Sequence, residues 1–257
     1  MRIATWNVNS IRARLPNIMD WISTQKPDIL LMQEIKCETS SFPFLEFKSS
    51  GYEVRAVGQK SYNGVAIASL HPIEDVTEAL PHSSNDEPAR YIEAVIKGIR
   101  IASIYLPNGN PVSTDKFTYK LDWMARLKQR AIKLLQEESP VILGGDYNVI
   151  PKEMDAHDPA AWENGALFLP QIRAAFQEIL NLGYTEAFRA MNPHKLEAYS
   201  FWDYQAGAWQ RDNGIRIDHF LLSPESIDRS TSCHIDRSPR GKEKASDHVP
   251  VIIDLDL

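Results

Sequence analysis

Polar side chains stand beside several short apolar runs in this sequence, at points where the strands of a sheet would begin or end. The residues are Asn7, Glu34, Asp146, Asn148, Asp247 and His248. In open α/β architectures, ligands gather beyond the carboxyl ends of the strands. If the strands that these residues adjoin are neighbours, their side chains share one rim and can act on one ligand.

Such a set of side chains suits a hard divalent cation. Magnesium prefers oxygen ligands, keeps several waters, and usually takes one or two carboxylates together with a substrate phosphate. The sequence shows no Cys/His set with zinc spacing, no glycine-rich nucleotide fingerprint and no Gly-x-Ser-x-Gly nucleophile elbow. The pattern therefore favours metal-assisted phosphoryl chemistry, in which carboxylates hold the ion and activate water, and a histidine meets the phosphate.

Each of these residues also has an ordinary structural interpretation. Asp and Asn after a strand are common turn residues, and Glu34 alone is equally consistent with a solvated strand end. His248 alone is more often a hydrogen-bonding histidine than a catalyst. Asp218 is different, because it lies within an apolar run and its buried carboxylate would need a partner, for which a histidine is suitable.

The composition is that of a folded protein without a strongly basic surface. Of 257 residues, 43% are hydrophobic and 24% are charged, which excludes wholesale disorder. The net charge is 28 − 34 = −6, so any nucleic-acid contact must use a local basic strip. Two cysteines, Cys37 and Cys233, provide neither a disulfide framework nor a zinc cluster. With no signal-peptide pattern and no run long enough to span a bilayer, we expect a cytoplasmic protein without a membrane partner.

Short apolar runs alternate with segments of helical periodicity. Strands are predicted at 3–8, 29–33, 52–57, 64–70, 91–96, 99–106, 141–144, 215–222 and 249–255, and helices at 15–22, 117–135 and 172–179. The order begins as β-α-β, continues through consecutive strands and returns to helix, which indicates two packed sheets with helices outside. Without repeats or a long linker, residues 1–257 are predicted to form one domain.

The motifs formed by these residues resemble those of a known family. The general motifs are Trp6-Asn7, Gln33-Glu34, Gly145-Asp146-Tyr147-Asn148 and Ser246-Asp247-His248-Val249-Pro250. The more specific ones are Ile11–Arg14, Gly58–Lys60, Gly64–Ala66, Tyr105–Gly109 and Asn213–Asp218. From Ile3 to Asp254 the chain resembles the exonuclease III family of apurinic/apyrimidinic (AP) endonucleases, within the deoxyribonuclease I-like phosphoesterases. The resemblance implies an α/β fold, a four-layer sandwich of two packed mixed β-sheets flanked by helices.

The resemblance also implies a metal site. Glu34 corresponds to the principal magnesium ligand, with Asn7 beside it and Asp247 near the metal or its waters. Mg²⁺ is the expected cofactor, and Mn²⁺ is a possible substitute. One or two metals in the turnover are equally compatible with the sequence.

Further positions are implied to take part in the chemistry. Asp146 corresponds to the residue that positions or deprotonates the attacking water, with Asn148 orienting it. Tyr105 corresponds to a tyrosine that contacts the scissile phosphate. A strand tyrosine that only packs against a neighbouring residue would show the same sequence pattern. His248, paired with Asp218, corresponds to the histidine that stabilises the phosphate in the transition state. The identity of the general base stays open.

Contacts with DNA phosphates need only a local stripe of cations. The candidates are Arg12, Arg14, Lys60, Arg90, Lys116, Lys120, Arg126 and the stretch 237–244. That stretch carries four basic residues against one acid, which fits either a solvated loop or a DNA contact. The resemblance favours Arg90 among the individual residues.

Phe201, Trp202 and Ile215 match positions that line a slot for a flipped-out, base-free sugar in the relatives. An apolar slot too small for a base admits only the abasic nucleotide, which is also the easiest to unstack. Relatives often carry a larger side chain where Ile215 stands. The alternative is that these are ordinary core residues.

The sequence therefore predicts a magnesium-dependent hydrolase that incises double-stranded DNA 5′ of abasic sites. It is also expected to have 3′-5′ exonuclease and 3′-end-trimming activity and to act as a monomer. One alternative is a phosphatase of the same superfamily that acts on phosphoinositides, which would share the catalytic residues. Another is a catalytically silent DNA-binding regulator, which would have no chemical reason to keep the whole set.

Overall fold

The computed structural model describes residues 1–81 and 88–256, in which two six-stranded sheets pack against each other between outer layers of helix. The strands are β1 Arg2–Asn7, β2 Ile29–Gln33, β3 Glu53–Val57, β4 Val65–Ser69, β5 Glu74–Thr77, β6 Tyr91–Ile96, β7 Ile99–Tyr105, β8 Val141–Asp146, β9 Thr185–Glu186, β10 Asp218–Leu222, β11 Ser230–Ile235 and β12 Val251–Leu255. The helices are α1 Ile11–Gln25, α2 Phe44–Ser49, α3 Asp115–Leu135, α4 Pro170–Leu180, α5 Ala187–Met191 and α6 Pro224–Ile227. The predicted fold class is confirmed.

Both sheets are mixed, and their central strands end at the same rim. The first sheet has the order β11-β12-β1-β2-β4-β3 and the second β5-β6-β7-β8-β10-β9. β1 runs parallel to β2, so that Asn7 pairs with Gln33, and β7 runs parallel to β8, so that Tyr105 pairs with Asp146. β10 is antiparallel to β8 and begins at Asp218, opposite Asp146. Each sheet therefore brings its own polar residues to the rim.

Apolar side chains fill most of the interface between the sheets, and a polar bridge crosses it. Aliphatic side chains such as Ile3, Leu31 and Ile101 fill it and are fully buried. At Gln33 the side-chain Nε2 donates to Ser103 Oγ of the other sheet at 3.0 Å, and Ser103 Oγ donates to the Met32 carbonyl at 3.1 Å. Because buried polar groups need their partners, this bridge opposes sliding of one sheet over the other.

Helices cover the outer face of each sheet. α1 packs Ile18 and Trp21 against the first sheet, and α3 packs Trp123 and Leu127, together with Phe176 of α4, against the second. No helix among residues 1–81 and 88–256 is long and apolar enough to cross a membrane.

The structure differs from the sequence predictions at the sheet edges. β5, β9 and β11 were not predicted, because they are short or polar and owe their extended form to pairing with a neighbouring strand. The strand predicted at 215–222 begins only at Asp218. Before it, Ile215 leaves the sheet and forms an isolated antiparallel bridge with Phe201. This departure places Ile215 beside the rim instead of within the second sheet.

Candidate active site

Asn7 stands between two carboxylates at the rim. Its side-chain Nδ2 donates to Glu34 Oε1 at 2.8 Å and to Asp146 Oδ2 at 2.9 Å. Its amide oxygen accepts the backbone N–H of Asn9 at 3.1 Å. Asn7 was predicted beside the metal, and that stays a prediction; the structure places it between Glu34 and Asp146. In this conformation its side-chain nitrogen faces the two carboxylates and holds them at a fixed separation.

Glu34 and Asp146, with His248 beside them, form a group whose two carboxylates suit a metal ion. One ligand atom of each lies within 4.8 Å of the others. Burial opposes ionisation of Glu34, but the Lys36 ammonium, 2.8 Å from Oε2, and the Asn7 amide outweigh it and lower the pKa of Glu34. An ionised carboxylate beside a second one provides the oxygen donors that a hard divalent cation requires.

Asp247, the third predicted metal residue, lies outside that group. Its Oδ1 accepts a hydrogen bond from Asn9 Nδ2 at 2.9 Å. Asn9 also contacts the Lys36 ammonium through its amide oxygen. Asp247 is therefore connected to Glu34 through Asn9 and Lys36, and its place near the metal or its waters stays a prediction.

Asp146 is the more deeply buried of the two carboxylates, with 1% of its surface exposed. Burial raises its pKa to about 7, and the negative charges of Asp218 and Glu34 act in the same direction, although His248 opposes them. A carboxyl whose pKa lies near neutrality can exchange a proton with water at physiological pH.

His248 is held by a carboxylate on its other side. Its Nδ1 lies 2.9 Å from Asp218 Oδ2, which also accepts from Ser200 Oγ at 2.6 Å. Its Nε2 lies 3.8 Å from Asp146 Oδ2. Burial lowers the pKa of His248, but Asp218 and Asp146 outweigh it and raise the pKa to about 10. The pairing expected for Asp218 is present, and it makes His248 an imidazolium that can meet a phosphate.

Asn148 is held in a strained backbone conformation by its surroundings. Its φ of 49° lies in the left-handed region, and its backbone N–H donates to Asp146 Oδ1 at 2.9 Å. Its side-chain Nδ2 donates to the Leu106 carbonyl at 2.9 Å, and its Oδ1 accepts from Asn108 Nδ2 at 3.0 Å. The loops after β7 and β8 thus fix the amide of Asn148 beside Asp146.

Tyr105 presents a neutral phenol to the same group. Burial raises its pKa well above the ordinary value, and the negative charges of Glu34 and Asp146 raise it further. The Arg90 guanidinium lies 4.6 Å from the centre of the Tyr105 ring. A phenol that keeps its proton can donate a hydrogen bond to a phosphate oxygen.

A cavity of about 250 Å³ opens beside His248. Phe201, Ile215 and Trp162 supply apolar wall, and the Phe201 ring lies 4.9 Å from the His248 ring, edge to face. Trp202 was predicted to join this wall, and that prediction is wrong. Its side chain is fully buried and does not line the cavity, and its Nε1 donates to Asp212 Oδ1 at 2.9 Å.

A buried ionic cluster holds the segment that carries Ile215. Arg216, the next residue, has no exposed surface and contacts Asp155 at 2.9 Å and Glu186 at 2.8 Å. Arg189 contacts the same Asp155 oxygen. Because removing one partner of a buried ion pair leaves an uncompensated charge, these contacts fix the chain between the cavity and Asp218.

A comparison with models of protein families shows which family the chain belongs to. The sequence model of the endonuclease/exonuclease/phosphatase family matches residues 4–248. The chain belongs to this family. It is 30% identical to an exodeoxyribonuclease of Bacillus subtilis over 100% of both chains. It is 29% identical to exodeoxyribonuclease III of Haemophilus influenzae over 98% of both.

Solved structures of this family superpose closely. An AP endonuclease from Archaeoglobus fulgidus has a TM-score of 0.96 at 40% identity, over 100% of both chains. A 3′ phosphatase from Neisseria, bound to a product DNA hairpin, has a TM-score of 0.97 at 35% identity, also over 100% of both chains. The prediction of a hydrolase of the exodeoxyribonuclease III and AP endonuclease type is confirmed, as is the family resemblance.

The basic residues predicted to contact DNA differ in how far they are exposed to solvent. Arg12 and Lys116 are exposed, on the first turns of α1 and α3, and Arg90 is half-buried against Tyr105. Lys120 has no exposed surface. The prediction that Lys120 contacts DNA is therefore wrong, because a buried ammonium cannot reach a phosphate.

Lys120 instead joins three loops around Asn148. Its Nζ donates to the carbonyls of Asn148 at 2.6 Å, Ala166 at 2.9 Å and Asn108 at 3.1 Å. Gly109 permits this closure, because its φ is 84° and a Cβ there would lie 2.7 Å from the Lys120 side chain. Burial lowers the pKa of Lys120 to about 7, and the negative charge of Asp146 opposes that shift.

Replacing Lys120 by Met is expected to lower kcat while leaving DNA affinity nearly unchanged, because Asn148 loses its support but no contact with DNA is removed. The carbonyls left without a donor should also cost about 2 to 4 kcal/mol of stability. Steady-state kinetics, DNA binding and thermal melting measure the three effects. Lys116→Met, one turn earlier on α3 and exposed, is the matched control and should leave kcat and melting unchanged. A loss of DNA affinity equal to the loss of kcat would contradict this role.

Several residues of the site were missed by the sequence analysis. They are Lys36 beside Glu34, Ser200 beneath Asp218, Asn108 beside Asn148 and Trp162 in the cavity wall. Lys36 and Ser200 stand next to recognised motifs, so their positions offered a weak signal. Trp162 comes from a short 3₁₀ helix, Pro159–Trp162, in which no local pattern indicated a functional residue.

Proposed function

We propose that this protein is a magnesium-dependent DNA repair nuclease that cleaves the phosphodiester 5′ of an abasic site in duplex DNA. It also trims 3′ ends by 3′-5′ exonuclease and 3′-phosphatase action, and it works as a monomer of a single domain. The observation that carries the proposal is the contact between Phe201 and His248, which sets an apolar cavity directly beside the phosphate-directed group. A base-free sugar in that cavity would bring its phosphate to the rim.

The residues of the rim divide the work of hydrolysis. Asp146, with a pKa near neutrality, accepts the proton of the attacking water, and the Asn148 amide orients that water. As the water oxygen bonds to phosphorus, the bond from phosphorus to the 3′ oxygen of the preceding nucleotide breaks, and that oxygen takes a proton from solvent. The His248 imidazolium and the Tyr105 phenol donate hydrogen bonds to the phosphate oxygens as negative charge develops on them. Glu34 would hold Mg²⁺, or Mn²⁺ as a substitute, and the bound ion would supply further positive charge at the phosphate.

The relatives support both kinds of DNA substrate. One solved relative is an AP endonuclease and another is a 3′ phosphatase bound to a product DNA hairpin. An internal abasic site and a blocked 3′ end share a feature that this cavity can use, because in each a phosphate is flanked by a position without a normal paired base. The proposal therefore assigns one site to both reactions.

A single assay separates this proposal from its alternatives. The protein is incubated with Mg²⁺ and, in parallel, an abasic duplex, a duplex ending in a 3′ phosphate, an intact duplex and an inositol phosphate. We expect rapid incision of the abasic duplex and release of phosphate from the 3′ end. Turnover of the inositol phosphate alone would indicate a phosphoinositide-type phosphatase. DNA binding without any turnover would indicate a silent regulator.

Opening the cavity is expected to weaken the preference for abasic sites. Phe201→Ala or Ile215→Ala removes apolar contact worth about 1 to 3 kcal/mol with the base-free sugar. Incision of the abasic duplex should fall by about one to two orders of magnitude, while cleavage of normal nucleotides falls much less. The measurement is the ratio of kcat/KM on abasic and intact duplexes.

The matched control for these variants is Ile253→Ala, in the fully buried interface between the sheets. It should lower the melting temperature without changing the ratio of the two activities. If Phe201→Ala and Ile215→Ala fold normally and also leave the ratio unchanged, the cavity is not the source of abasic preference.

A further inference from the structure

A second pocket, of about 370 Å³, lies beside the catalytic rim and is lined mainly by cations. Its wall includes Arg14, Tyr204, Arg240, Lys242 and Lys244. The chain as a whole carries a net charge of −6, so this is a local concentration of positive charge on an acidic protein. Such a concentration favours an anionic ligand. We name it the basic pocket.

Tyr204 connects the basic pocket to the catalytic rim. Its hydroxyl accepts from Arg14 Nη2 at 3.0 Å and from Asn9 Nδ2 at 3.2 Å, and it donates to the Ala245 carbonyl at 2.8 Å. Asn9 Nδ2 also donates to Asp247 Oδ1 at 2.9 Å. The pocket is therefore fixed in position relative to the metal-binding carboxylates by a continuous set of hydrogen bonds.

The cations of the basic pocket are only partly neutralised by the protein. Lys242 pairs with Asp20. Lys244 is exposed and has no hydrogen bond or ion pair within residues 1–81 and 88–256. Arg240 is 9% exposed, lies 5.2 Å from the centre of the Tyr204 ring, and has a buried Nε without a partner among the described residues.

The carboxylates near the pocket lie on the side of Arg240. Asp203 and Asp247 both lie close enough to Arg240 to favour its charged form, yet burial outweighs them and lowers its pKa. Arg14, held by Tyr204, has no carboxylate partner among the described residues, and its Nε is likewise unpartnered there. Positive charge thus remains for a ligand on the side where Arg14 and Lys244 lie.

We infer that the basic pocket binds one backbone phosphate of the DNA, flanking the phosphate that is cleaved. This inference rests on the proposed function, because it takes DNA as the substrate. A DNA strand carries one negative charge for every 3.4 Å of helix axis, so a strand with its scissile phosphate at the rim also carries phosphates across the neighbouring surface. The basic pocket is the place on that surface where cations converge and are held to the rim.

The test combines neutral phosphates in the DNA with neutral side chains in the protein. Methylphosphonate, which lacks the phosphate charge, replaces one phosphate at a time along the abasic duplex, and the Kd is measured by fluorescence anisotropy in EDTA. The variant is Arg14→Gln/Lys244→Gln, and single Lys244→Gln serves as a milder second variant. The control is Lys48→Gln/Lys97→Gln, which removes the same charge at exposed positions away from the rim.

One methylphosphonate position, distinct from the scissile one, should raise the Kd of the wild-type protein about five- to tenfold. In Arg14→Gln/Lys244→Gln the same replacement should change the Kd by less than about twofold, because the contact is already lost. The slope of log Kd against log salt should also fall by about 1 in this variant. The control should behave as the wild type does at every position.

Failure of this inference differs from failure of the proposed function. If the scissile methylphosphonate weakens binding but every flanking position acts independently of Arg14 and Lys244, the basic pocket does not hold a phosphate. If the wild-type protein binds no duplex at all and no position matters, DNA is not the substrate and the proposed function fails with it.

Discussion

Replacing Asp146 by Asn is expected to lower kcat on an abasic duplex by about two to four orders of magnitude, the range for loss of a positioned general base. The side chain keeps its shape, but it can no longer accept a proton from water. DNA affinity should hold or improve, because a negative charge that faces the phosphate has been removed. Single-turnover rates and Kd values, measured separately, check the two parts.

Asp122→Asn is the matched control, because it removes the same charge from an exposed position on α3. It should leave kcat unchanged. If Asp146→Asn instead weakens DNA binding as much as it slows the reaction, Asp146 serves binding or folding. Thermal melting distinguishes those two outcomes, since only a folding role lowers the melting temperature.

Replacing Glu34 by Ala is expected to reduce activity by about two to four orders of magnitude, as for other electrostatic catalysts. The loss of the carboxylate weakens the metal site. It also removes the partner of the Lys36 ammonium, which lies 2.8 Å from Glu34 Oε2 in the wild-type protein, and leaves that positive charge close to the position of the cation. High magnesium should restore part of the activity. Two titrations measure the change in metal affinity. In one, the reaction rate is recorded as Mg²⁺ is added, and in the other, Mn²⁺ binding is followed by the paramagnetic signal of that ion.

Glu38→Ala, at an exposed position four residues further on, is the control for the loss of one negative charge and should need no additional magnesium. Chelation should abolish the activity of the wild-type protein. Activity that persists unchanged in chelator would contradict a metal-dependent mechanism for the whole site.

The rim was predictable because it follows from the ends of strands. Glu34 and Asp146 adjoin apolar runs that had to be strands, and parallel strands bring their carboxyl ends together. The need of Asp218 for a partner was predictable too, because a carboxylate within an apolar run needs a counterpart, but the choice of His248 came from the family resemblance. The signals at Glu34, Asp146 and Asp218 are local in the sequence, whereas Asp218 and its partner His248 are 30 positions apart.

Lys120 and Trp202 were not predictable in the same way. On the face of an amphipathic helix, a lysine gives no sign that three carbonyls from separate loops will surround it. Trp202 adjoins Phe201, and only the bridge between Phe201 and Ile215 shows which of the two aromatic side chains faces the cavity. Ile215 itself was expected inside a strand, and its departure from the sheet depends on long-range pairing.

The division of the rim between two sheets makes catalysis sensitive to their mutual alignment. Glu34 follows a strand of the first sheet and Asp146 ends a strand of the second, and the buried Asn7 amide joins them, as the Gln33–Ser103 bridge joins the two sheets. A displacement of about one residue, roughly 3.3 Å, would exceed the length of any hydrogen bond in the group. Each half could then remain folded while the chemistry stopped. Loss of activity without unfolding would therefore report that the two sheets had shifted relative to each other.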